Sequence, residues 1–249
     1  MTESIHLSII VPAFREERRI LPTLQKIEAY RRLKPFRSEV IVVDDCSPDE
    51  TCRVVEEFMA GKPDYRLLRN EKNLGKGGSV KNGMLAAKGR FRLFSDADLS
   101  TPIDDADGFF NYFEGAVDSA KYDVVIGSRR VAGARLVQRQ PLHREASGRI
   151  FSLLVRALAV PGFYDTQCGF KMFTAEAAEQ IFRRQTILGF GFDVEILFIA
   201  LNVLGYKIKE APVHWEDSPA TTVRLFRDST RMFRDLLKIR ENYEKKIYL

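Results

Sequence analysis

Short β-rich runs alternate with helical patterns along the first half of this chain. The β-rich runs cover residues 7–11, 39–43, 65–69, 91–95 and 123–127. Between the first two runs, apolar residues recur at the spacing of an amphipathic helix, as at Ile20, Leu24 and Ile27. Strands that alternate with helices build a mostly parallel sheet with right-handed crossovers. The sequence therefore predicts an α/β fold, a mostly parallel sheet flanked by helices.

Polar residues follow these predicted strands. In sheets of this kind, ligands bind beyond the carboxyl ends of the strands. The strand ends here are Pro12 to Glu16, Asp44-Asp45, Asn73 to Lys76, Asp96 to Asp98 and Gly127 to Arg129. We therefore expect these residues to meet along one edge of the sheet and to form the ligand site.

Asp96 and Asp98 are separated only by Ala97. In an extended chain their side chains point to the same side. Two such carboxylates repel each other unless a cation or hydrogen-bond donors intervene. Mg²⁺ and Mn²⁺ take oxygen ligands, and Mg²⁺ is often held by one or two carboxylates together with substrate phosphates. The pair predicts a metal site, with a solvated turn as the alternative.

Three other strand ends suit either a ligand or a structural role. Asp44 and Asp45 could accept hydrogen bonds from a nucleobase or ribose, or could cap the next helix. The stretch Asn73–Gly78 offers backbone N–H groups before a helix, which is a usable anion site, or it forms a flexible turn. It fits neither a Walker loop nor a dinucleotide fingerprint. Arg129 could bind phosphate or lie exposed.

Basic residues are concentrated in the second half of the chain. Residues 129–160 contain seven arginines and one acid, and residues 223–249 contain eight Lys or Arg and four acids, although the whole chain has a net charge of only +5. Local basic charge predicts an anionic partner. No signal peptide opens the sequence, and no apolar run reaches the roughly 18 residues of a spanning helix. Three cysteines without a C-x-x-C pair are typical of a reduced, cytosolic setting.

The second half also has a coarse structural pattern. We expect a helix over residues 146–160, a glycine-punctuated loop over residues 163–173 and a long basic helix over residues 223–243. The sequence contains no internal repeat and no linker, which predicts a single domain over residues 1–249. The three histidines are scattered and predict no metal set.

Together, the strand-end motifs resemble the family-2 inverting glycosyltransferases with the nucleotide-sugar-binding GT-A fold. The motifs are Ser8–Glu17, Val42–Ser47, Asn73–Gly78, Ser95–Asp98 and Gly127–Arg129. Three later stretches resemble the polyprenyl- or dolichyl-phosphate hexose synthases, particularly the dolichyl-phosphate glucosyltransferase branch. These stretches are Asp165–Phe173, Gly191–Glu195 and Val213–Trp215.

The resemblance implies a Rossmann-like GT-A domain with a nucleotide-sugar-binding half, residues 1–130, and an acceptor half, residues 131–249. It implies transfer of a hexose, with glucose and UDP-glucose expected, to a polyprenyl or dolichyl phosphate. The cofactor would be Mg²⁺ or Mn²⁺. The protein would work peripherally on an anionic membrane at its cytoplasmic face and would bind no nucleic acid.

The resemblance also implies roles for individual residues. Asp98, with Asp96, would bind the metal. Arg129 and Lys171 would face the acceptor phosphate. The reaction chemistry adds that a hydroxyl acceptor needs a base, for which Asp193 is the first candidate and Asp165 the second, with a helix cap or a loop acid as the alternative for either. The donor-binding residues would be Pro12, Phe14, Glu16, Asp44, Asp45, Lys76, Asp96 and Ala97.

One departure from the branch concerns the acceptor side. The branch usually has Ser-Lys or Ser-Arg after the strand that contains the tryptophan, whereas this chain has Thr221-Thr222, with Arg224 nearby. A cation that could touch the phosphates is therefore missing at the matching place.

Three alternatives remain open at this point. The acceptor could be a soluble or saccharide hydroxyl, which needs a base, whereas a lipid phosphate is already anionic. A sugar-phosphate nucleotidyltransferase shares the acidic site but usually has a glycine-rich loop after the first strand, where this chain has Pro12–Glu16. A nucleic-acid-binding module would explain the basic half but not the polar strand ends.

Two amphipathic stretches predict docking on a membrane surface. The first has apolar residues between 150 and 160 beside Arg144, Arg149 and Arg156. In the second, Leu225, Met232, Leu236, Ile239 and Tyr243 recur beside Arg224, Arg227, Arg231, Arg234 and Lys238. The alternative is that either apolar stripe packs against the core.

Overall fold

A computed structural model describes residues 4–117, 119–136, 153, 155, 159–216 and 225–249, and gives only the backbone of residues 225–230. A seven-stranded sheet organises this part of the chain, with the strand order β3-β2-β1-β4-β7-β5-β8. The strands are β1 (Leu7–Ala13), β2 (Ser38–Asp44), β3 (Tyr65–Arg69), β4 (Phe91–Ser95), β5 (Val124–Ser128), β7 (Phe170–Thr174) and β8 (Ile208–Pro212). Two short strands, β6 (Arg135–Leu136) and β9 (His214–Trp215), form a separate two-stranded parallel sheet.

Helices connect and cover these strands. They are α1 (Ile20–Arg32), α2 (Thr51–Met59), α3 (Lys76–Ala86), α4 (Ala106–Glu114), α5 (Ala175–Arg184), α6 (Phe192–Phe198) and α7 (Leu225–Glu244). A 3₁₀ turn over Ile103–Asp105 precedes α4, and a π-helical turn over Ile199–Val203 continues α6. The predicted α/β fold with a mostly parallel, helix-flanked sheet is confirmed.

The core lies on both faces of the sheet, as β2 shows. Ile41 and Val43 belong to one buried cluster, whereas Val40 and Val42 belong to the other. Successive side chains of a strand point to opposite faces, so a strand covered on both sides is apolar throughout. This burial fixes the strands and therefore the positions of the polar residues that follow them.

The strand β7 corrects the prediction of a loop over residues 163–173. Phe170–Thr174 pairs antiparallel with β4 on one side and with β5 on the other. Its burial explains the difference, because Phe170, Met172 and Phe173 are all buried. The glycines and the lysine in this stretch are not typical of a central strand, so the sequence pattern did not predict one. Both halves of the chain thus contribute to one sheet.

The helix α7 confirms the predicted C-terminal amphipathic helix, but its apolar stripe faces the protein. Leu236 and Ile239, which were expected on the membrane-facing stripe, are buried in the core. The exposed large apolar side chains of this helix are Phe233, Leu237 and Tyr243. The alternative of core packing therefore holds for the centre of the stripe. Arg144, Arg149, Arg156, Arg224 and the Thr221-Thr222 pair lie outside the described residues, as do the side chains of Leu225 and Arg227.

Within the described ranges, no helix is both long enough and apolar enough to cross a membrane.

Candidate active site

The ends of β1, β2 and β4 lie side by side. Ala13 is opposite Asp44 in the parallel β1–β2 pair, and Ile10 is opposite Phe94 in the β1–β4 pair. One residue shortly after each strand has a positive φ without being glycine: Arg15 (59°), Cys46 (60°) and Leu99 (45°). Such angles are uncommon for residues with a side chain and cluster at binding sites. Three of the five residues other than glycine that have a positive φ in the described part of the chain therefore lie at this edge.

Asp44 presents an open acceptor at this edge. Its carboxylate is buried, and Oδ2 accepts the Ser47 N–H at 3.0 Å. Among the described residues, Oδ1 has no hydrogen-bond partner. A buried acceptor without a partner is costly, so its presence here points to a ligand donor. Phe14, on the neighbouring strand end, is 37% exposed, and the Arg15 guanidinium lies 5.2 Å from its ring centroid.

Asp45 differs from Asp44, because its oxygens already accept backbone donors. Oδ1 accepts the Leu74 N–H and Oδ2 accepts the Gly75 N–H, both at 2.8 Å, and Asn70 Nδ2 also donates to Oδ1 at 2.8 Å. The expectation was that Asp45 binds the donor directly. In the structure, these contacts hold the turn that precedes α3, and direct binding of the donor by Asp45 stays a prediction.

The glycine turn, residues 75–78, needs its glycines. Gly75 has a φ of 88°, and a Cβ there would lie 2.8 Å from the Leu188 carbonyl oxygen. A Cβ at Gly77 would lie 2.7 Å from Cβ of Phe192. The turn is thus pressed against residues 187–192. It places Lys76 at the first position of α3, where the N-terminus of the helix favours anions.

Lys76 and Asp96 form an ion pair in the site. Lys76 Nζ lies 2.6 Å from Asp96 Oδ1. Burial by itself lowers the pKa of Lys76, but the carboxylates of Asp96 and Asp193 outweigh it and raise the pKa above its usual value. A Cβ on Gly169 would overlap the Asp96 carboxylate, so this glycine makes room for it. Lys76 is therefore a permanent cation among acids.

Asp98 and Ala97 complete this part of the site. Asp98 Oδ1 accepts the Ser100 N–H at 3.0 Å, and the carbonyl of Ala97 accepts the Thr23 hydroxyl at 2.5 Å. Burial, together with the charges of Asp98 and Asp96, raises the pKa of Glu16, although Arg19 opposes the shift. Glu16, Asp96 and Asp98 therefore share one region of negative potential.

Within the described ranges, no three His, Cys, Asp or Glu side chains are grouped so as to hold a metal ion by themselves. Asp96 and Asp98 remain a two-carboxylate set. That number suits Mg²⁺, which usually keeps waters and substrate phosphates as its other ligands. The two carboxylates therefore fit the expected cation, with the substrate supplying the remaining ligands.

Arg129 is paired within the protein. Its Nε and Nη2 lie 2.7 and 2.8 Å from the two oxygens of Asp165, and its backbone N–H donates to the same carboxylate at 2.9 Å. Burial raises the pKa of Asp165 by itself, but Arg129 outweighs it and holds the pKa below its usual value. The ring of Trp215 lies 5.3 Å below the guanidinium. Asp165, expected as a second candidate base, is thus an orienting partner of Arg129.

Lys171 is the clearest difference from the sequence-based expectation. Its side chain is 0% exposed, and Nζ donates to the Cys168 carbonyl at 2.6 Å and to Asp193 Oδ1 at 2.5 Å. The side chain was expected to face the acceptor phosphate. It lies on a strand inside the sheet and is fully buried, so its ammonium is not exposed to an acceptor.

Sequence reasoning overlooked Glu195, although Glu195 lies in a motif that resembles the family. It is buried in α6, two residues after Asp193, and accepts hydrogen bonds from Thr186 and Ile187. The available signal was a carboxylate within an apolar helix, since residues of this type are almost never fully buried unless they have partners.

Comparison with known proteins identifies the class. Residues 8–182 match the model of the family described as Glycosyl transferase family 2. The chain belongs to this family and is a glycosyltransferase with the GT-A fold.

Individual relatives indicate which branch of the family this chain resembles. The dolichyl-phosphate beta-glucosyltransferase of Dictyostelium discoideum is 35% identical in an alignment that covers 97% of this chain and 76% of that protein. The enzymes of the same name from Saccharomyces cerevisiae and Homo sapiens are 32% and 33% identical, over 99% and 95% of this chain and 77% and 75% of theirs. The resemblance to this branch is confirmed.

Solved structures show the same fold at lower identity. Mannosyl-3-phosphoglycerate synthase from Rubrobacter xylanophilus superposes with a TM-score of 0.68 at 17% identity, over 98% of this chain and 76% of that one. Glucosyl-3-phosphoglycerate synthase from Mycobacterium tuberculosis, solved with Mn²⁺, UDP-glucose and phosphoglyceric acid, gives 0.64 at 17% identity, over 94% and 79%. The family favours glycosyl transfer over the nucleotidyltransferase alternative.

Proposed function

We propose that this protein transfers glucose from UDP-glucose to a dolichyl or polyprenyl phosphate, with Mg²⁺ or Mn²⁺, at the cytoplasmic face of a membrane. The names of the relatives support the sugar and the acceptor. The Mycobacterium tuberculosis enzyme of the same fold, solved with Mn²⁺ and UDP-glucose, supports the donor and the metal.

The observation that carries the acceptor class is the buried ion pair between Lys171 and Asp193. A hydroxyl acceptor needs a base to take its proton, and Asp193 is the candidate. Asp193 Oδ1 is already bound to the buried Lys171 ammonium at 2.5 Å, so this oxygen is not free to take the proton of a hydroxyl. A phosphate acceptor is already an anion and needs no such proton transfer. The pair therefore favours a phosphate nucleophile.

On the donor side, Asp44 Oδ1 would accept a hydrogen bond from the base or ribose. Phe14 and Pro12 would border the base, and Glu16 would lie at the ribose. Lys76, at the first position of α3, would contact the diphosphate. The open acceptor of Asp44 and the anion-favouring helix end support this orientation of the nucleotide.

Asp98 and Asp96 would hold the divalent cation. When bound, the metal supplies positive charge against the negative charge that develops on the leaving diphosphate. Lys76 supplies the same kind of stabilisation from the protein, because its ammonium lies beside Asp96.

Arg129 would approach the acceptor phosphate. Asp165 takes hydrogen bonds from only two nitrogens of the guanidinium, which carries five N–H donors in all. Asp165 and Trp215 fix the plane of the guanidinium before the acceptor arrives. The attacking phosphate oxygen then displaces the nucleoside diphosphate at the anomeric carbon, in line, with inversion.

Substrate screening tests this proposal. The purified protein would be incubated with a set of sugar nucleotides and Mg²⁺ or Mn²⁺, with and without a polyprenyl phosphate. We expect a glucosylated lipid phosphate from UDP-glucose only when the lipid is present. Equal transfer to a soluble sugar alcohol would contradict the proposal.

Asp193→Asn separates the two acceptor classes. With a phosphate acceptor, the rate per folded molecule should fall less than about tenfold, whereas loss of a general base from a hydroxyl reaction costs roughly 10²–10⁴-fold. Because the variant leaves the buried Lys171 ammonium unpaired, its folded fraction is measured alongside. Single-turnover rates on matched lipid phosphate and lipid alcohol acceptors provide the measurement. A loss of 10²-fold or more on the phosphate acceptor would favour the hydroxyl alternative.

Docking on the membrane is tested separately with vesicles. The exposed face of α7 carries Phe233, Leu237 and Arg234. Each basic residue near an anionic leaflet contributes about 1 kcal/mol, so Arg234→Glu should weaken sedimentation with anionic vesicles several-fold. Lys26→Glu, on the exposed side of α1, is the control. A protein that stays in the supernatant with anionic vesicles at low salt would refute surface docking.

A further inference from the structure

Glu195 is a buried acid that the proposed chemistry does not use. It accepts the Thr186 hydroxyl at 2.6 Å, the Thr186 N–H at 3.0 Å and the Ile187 N–H at 2.8 Å. The Tyr248 hydroxyl donates to the same carboxylate at 2.8 Å. Four neutral donor groups therefore satisfy one buried charge, which holds two distant segments of the chain together.

Asn242 and Tyr248 bring α7 and the residues after it into this arrangement. Asn242 Nδ2 donates to the Thr186 hydroxyl oxygen at 2.9 Å and to the Tyr248 hydroxyl oxygen at 3.3 Å. Both side chains are buried. Arg184, at the end of α5, donates to the Tyr248 carbonyl at 2.9 Å. We call Thr186, Glu195, Asn242 and Tyr248 the Glu195 network.

The network continues into the glycine turn of the active site. The Leu188 carbonyl, two residues after Thr186, accepts the Gly78 N–H at 3.1 Å. Gln185 Nε2 donates to the Gly77 carbonyl at 2.9 Å. The turn that carries Lys76 therefore rests on residues 185–188, whose backbone is held in turn by Glu195.

We propose that Tyr248 is a positioning residue for glycosyl transfer: through Glu195 it fixes residues 185–188, and through them the glycine turn that aims Lys76 at the leaving diphosphate. This inference rests on the proposed function for the role of Lys76. The contacts form one series from the Tyr248 hydroxyl to the backbone of Gly77 and Gly78, the two residues that follow Lys76.

Two features separate this role from simple packing. The series ends on polar backbone groups of the turn, not on apolar surface. Negative charge on the leaving diphosphate grows in the transition state, so a displaced Lys76 lowers kcat more than it raises the KM for the donor. A side chain that only stabilised the fold would leave kcat per folded molecule unchanged.

Tyr248→Phe tests the proposal, because it removes the hydroxyl and keeps the ring. Tyr112→Phe is the matched control, since Tyr112 lies in α4, away from the network and from α7, and its ring centroid lies 6.3 Å from that of Tyr122. Thr186→Val removes the other side-chain hydrogen bond to Glu195, that of the Thr186 hydroxyl, and keeps the backbone N–H of residue 186. Amide hydrogen exchange without substrate and steady-state kinetics with UDP-glucose and polyprenyl phosphate would be measured on each.

In Tyr248→Phe and Thr186→Val, loss of one hydrogen bond to a buried charge should speed exchange at residues 76–79 about tenfold. We expect kcat to fall about tenfold, with the donor KM changing less than about twofold. Exchange in α1 should stay unchanged, and Tyr112→Phe should match the wild type in both measurements.

The proposal is overturned if Tyr248→Phe lowers the melting temperature but leaves either kcat or exchange at residues 76–79 unchanged. If Tyr248→Phe does not fold, Thr186→Val decides by the same criteria. If the wild type transfers nothing to the lipid phosphate, the proposed function fails, and the exchange experiment alone decides the network.

Discussion

The donor side and the acceptor side of this site treat charge in opposite ways. On the donor side, Asp44 keeps a buried oxygen without a partner. On the acceptor side, Arg129 is paired with Asp165, and Lys171 is paired with Asp193. In the proposed function, the nucleotide would complete the first side, whereas ion pairs within the protein already neutralise the second.

The difference teaches how each side relates to stability. A buried acceptor without a partner destabilises the free protein, and a ligand recovers that free energy on binding. A buried ion pair, in contrast, becomes costly only when one partner is removed. Substitutions on the donor side should therefore change kinetics more than stability. Substitutions on the acceptor side should change stability more than kinetics.

The largest effect is expected from Asp98→Asn. Removal of a charged metal ligand should lower transfer about 10³-fold while the fold stays intact, because stabilisation of the leaving-group charge is a large part of such catalysis. Initial rates and circular dichroism provide the measurement, with the exposed Asp104→Asn as control. Full activity in excess EDTA would contradict the metal site.

Lys171→Met should act mainly on stability. It leaves Asp193 as an uncompensated buried charge, which costs about 3 kcal/mol of unfolding free energy. Thermal and urea unfolding would show this loss, and Lys26→Met on the surface serves as the control. The double variant Lys171→Met/Asp193→Leu should recover much of the stability. If Lys171→Met is as stable as the wild type, the fold does not depend on the charge pair between Lys171 and Asp193.

Asp44→Asn should have the smallest effect of the three substitutions. In contrast to Lys171→Met, it should change kinetics and not reduce stability. Loss of a charge-assisted hydrogen bond to the nucleotide should raise the donor KM about tenfold and leave kcat nearly unchanged. The melting temperature should stay or rise, because a buried unsatisfied charge is removed. A fall in melting temperature with an unchanged KM would assign Asp44 a structural role.

The strand ends on the donor side could be predicted well from sequence. The apolar runs of β1, β2 and β4 mark where each strand stops, and parallel strands bring their ends together. The alternation of strand and helix was therefore enough to place Asp44 and Asp98 at one edge. It could not distinguish Asp44 from Asp45, because the difference depends on which carboxylate the folded glycine turn reaches.

The acceptor side could be predicted less well, for two physical reasons. Lys171 lies on a strand that is buried on both faces, and a lysine in a glycine-rich stretch is not typical of such a strand. The partners of Arg129 and Glu195 come from segments far along the chain, at Asp165 and Tyr248. Local patterns do not encode pairings of that kind.

The insertion of β7 between β4 and β5 has a consequence for how the chain folds as it is synthesised. When residues up to 128 have left the ribosome, β4 has only β1 as a neighbour, and β5 has none. The strand β4 waits for residues 170–174, and β5 waits for residues 170–174 and 208–212. The sheet therefore closes through contacts of long sequence separation, which form slowly. Until then an apolar strand edge is exposed to pairing with other chains. The order of synthesis thus makes the nascent donor half dependent on a segment that emerges about forty residues later.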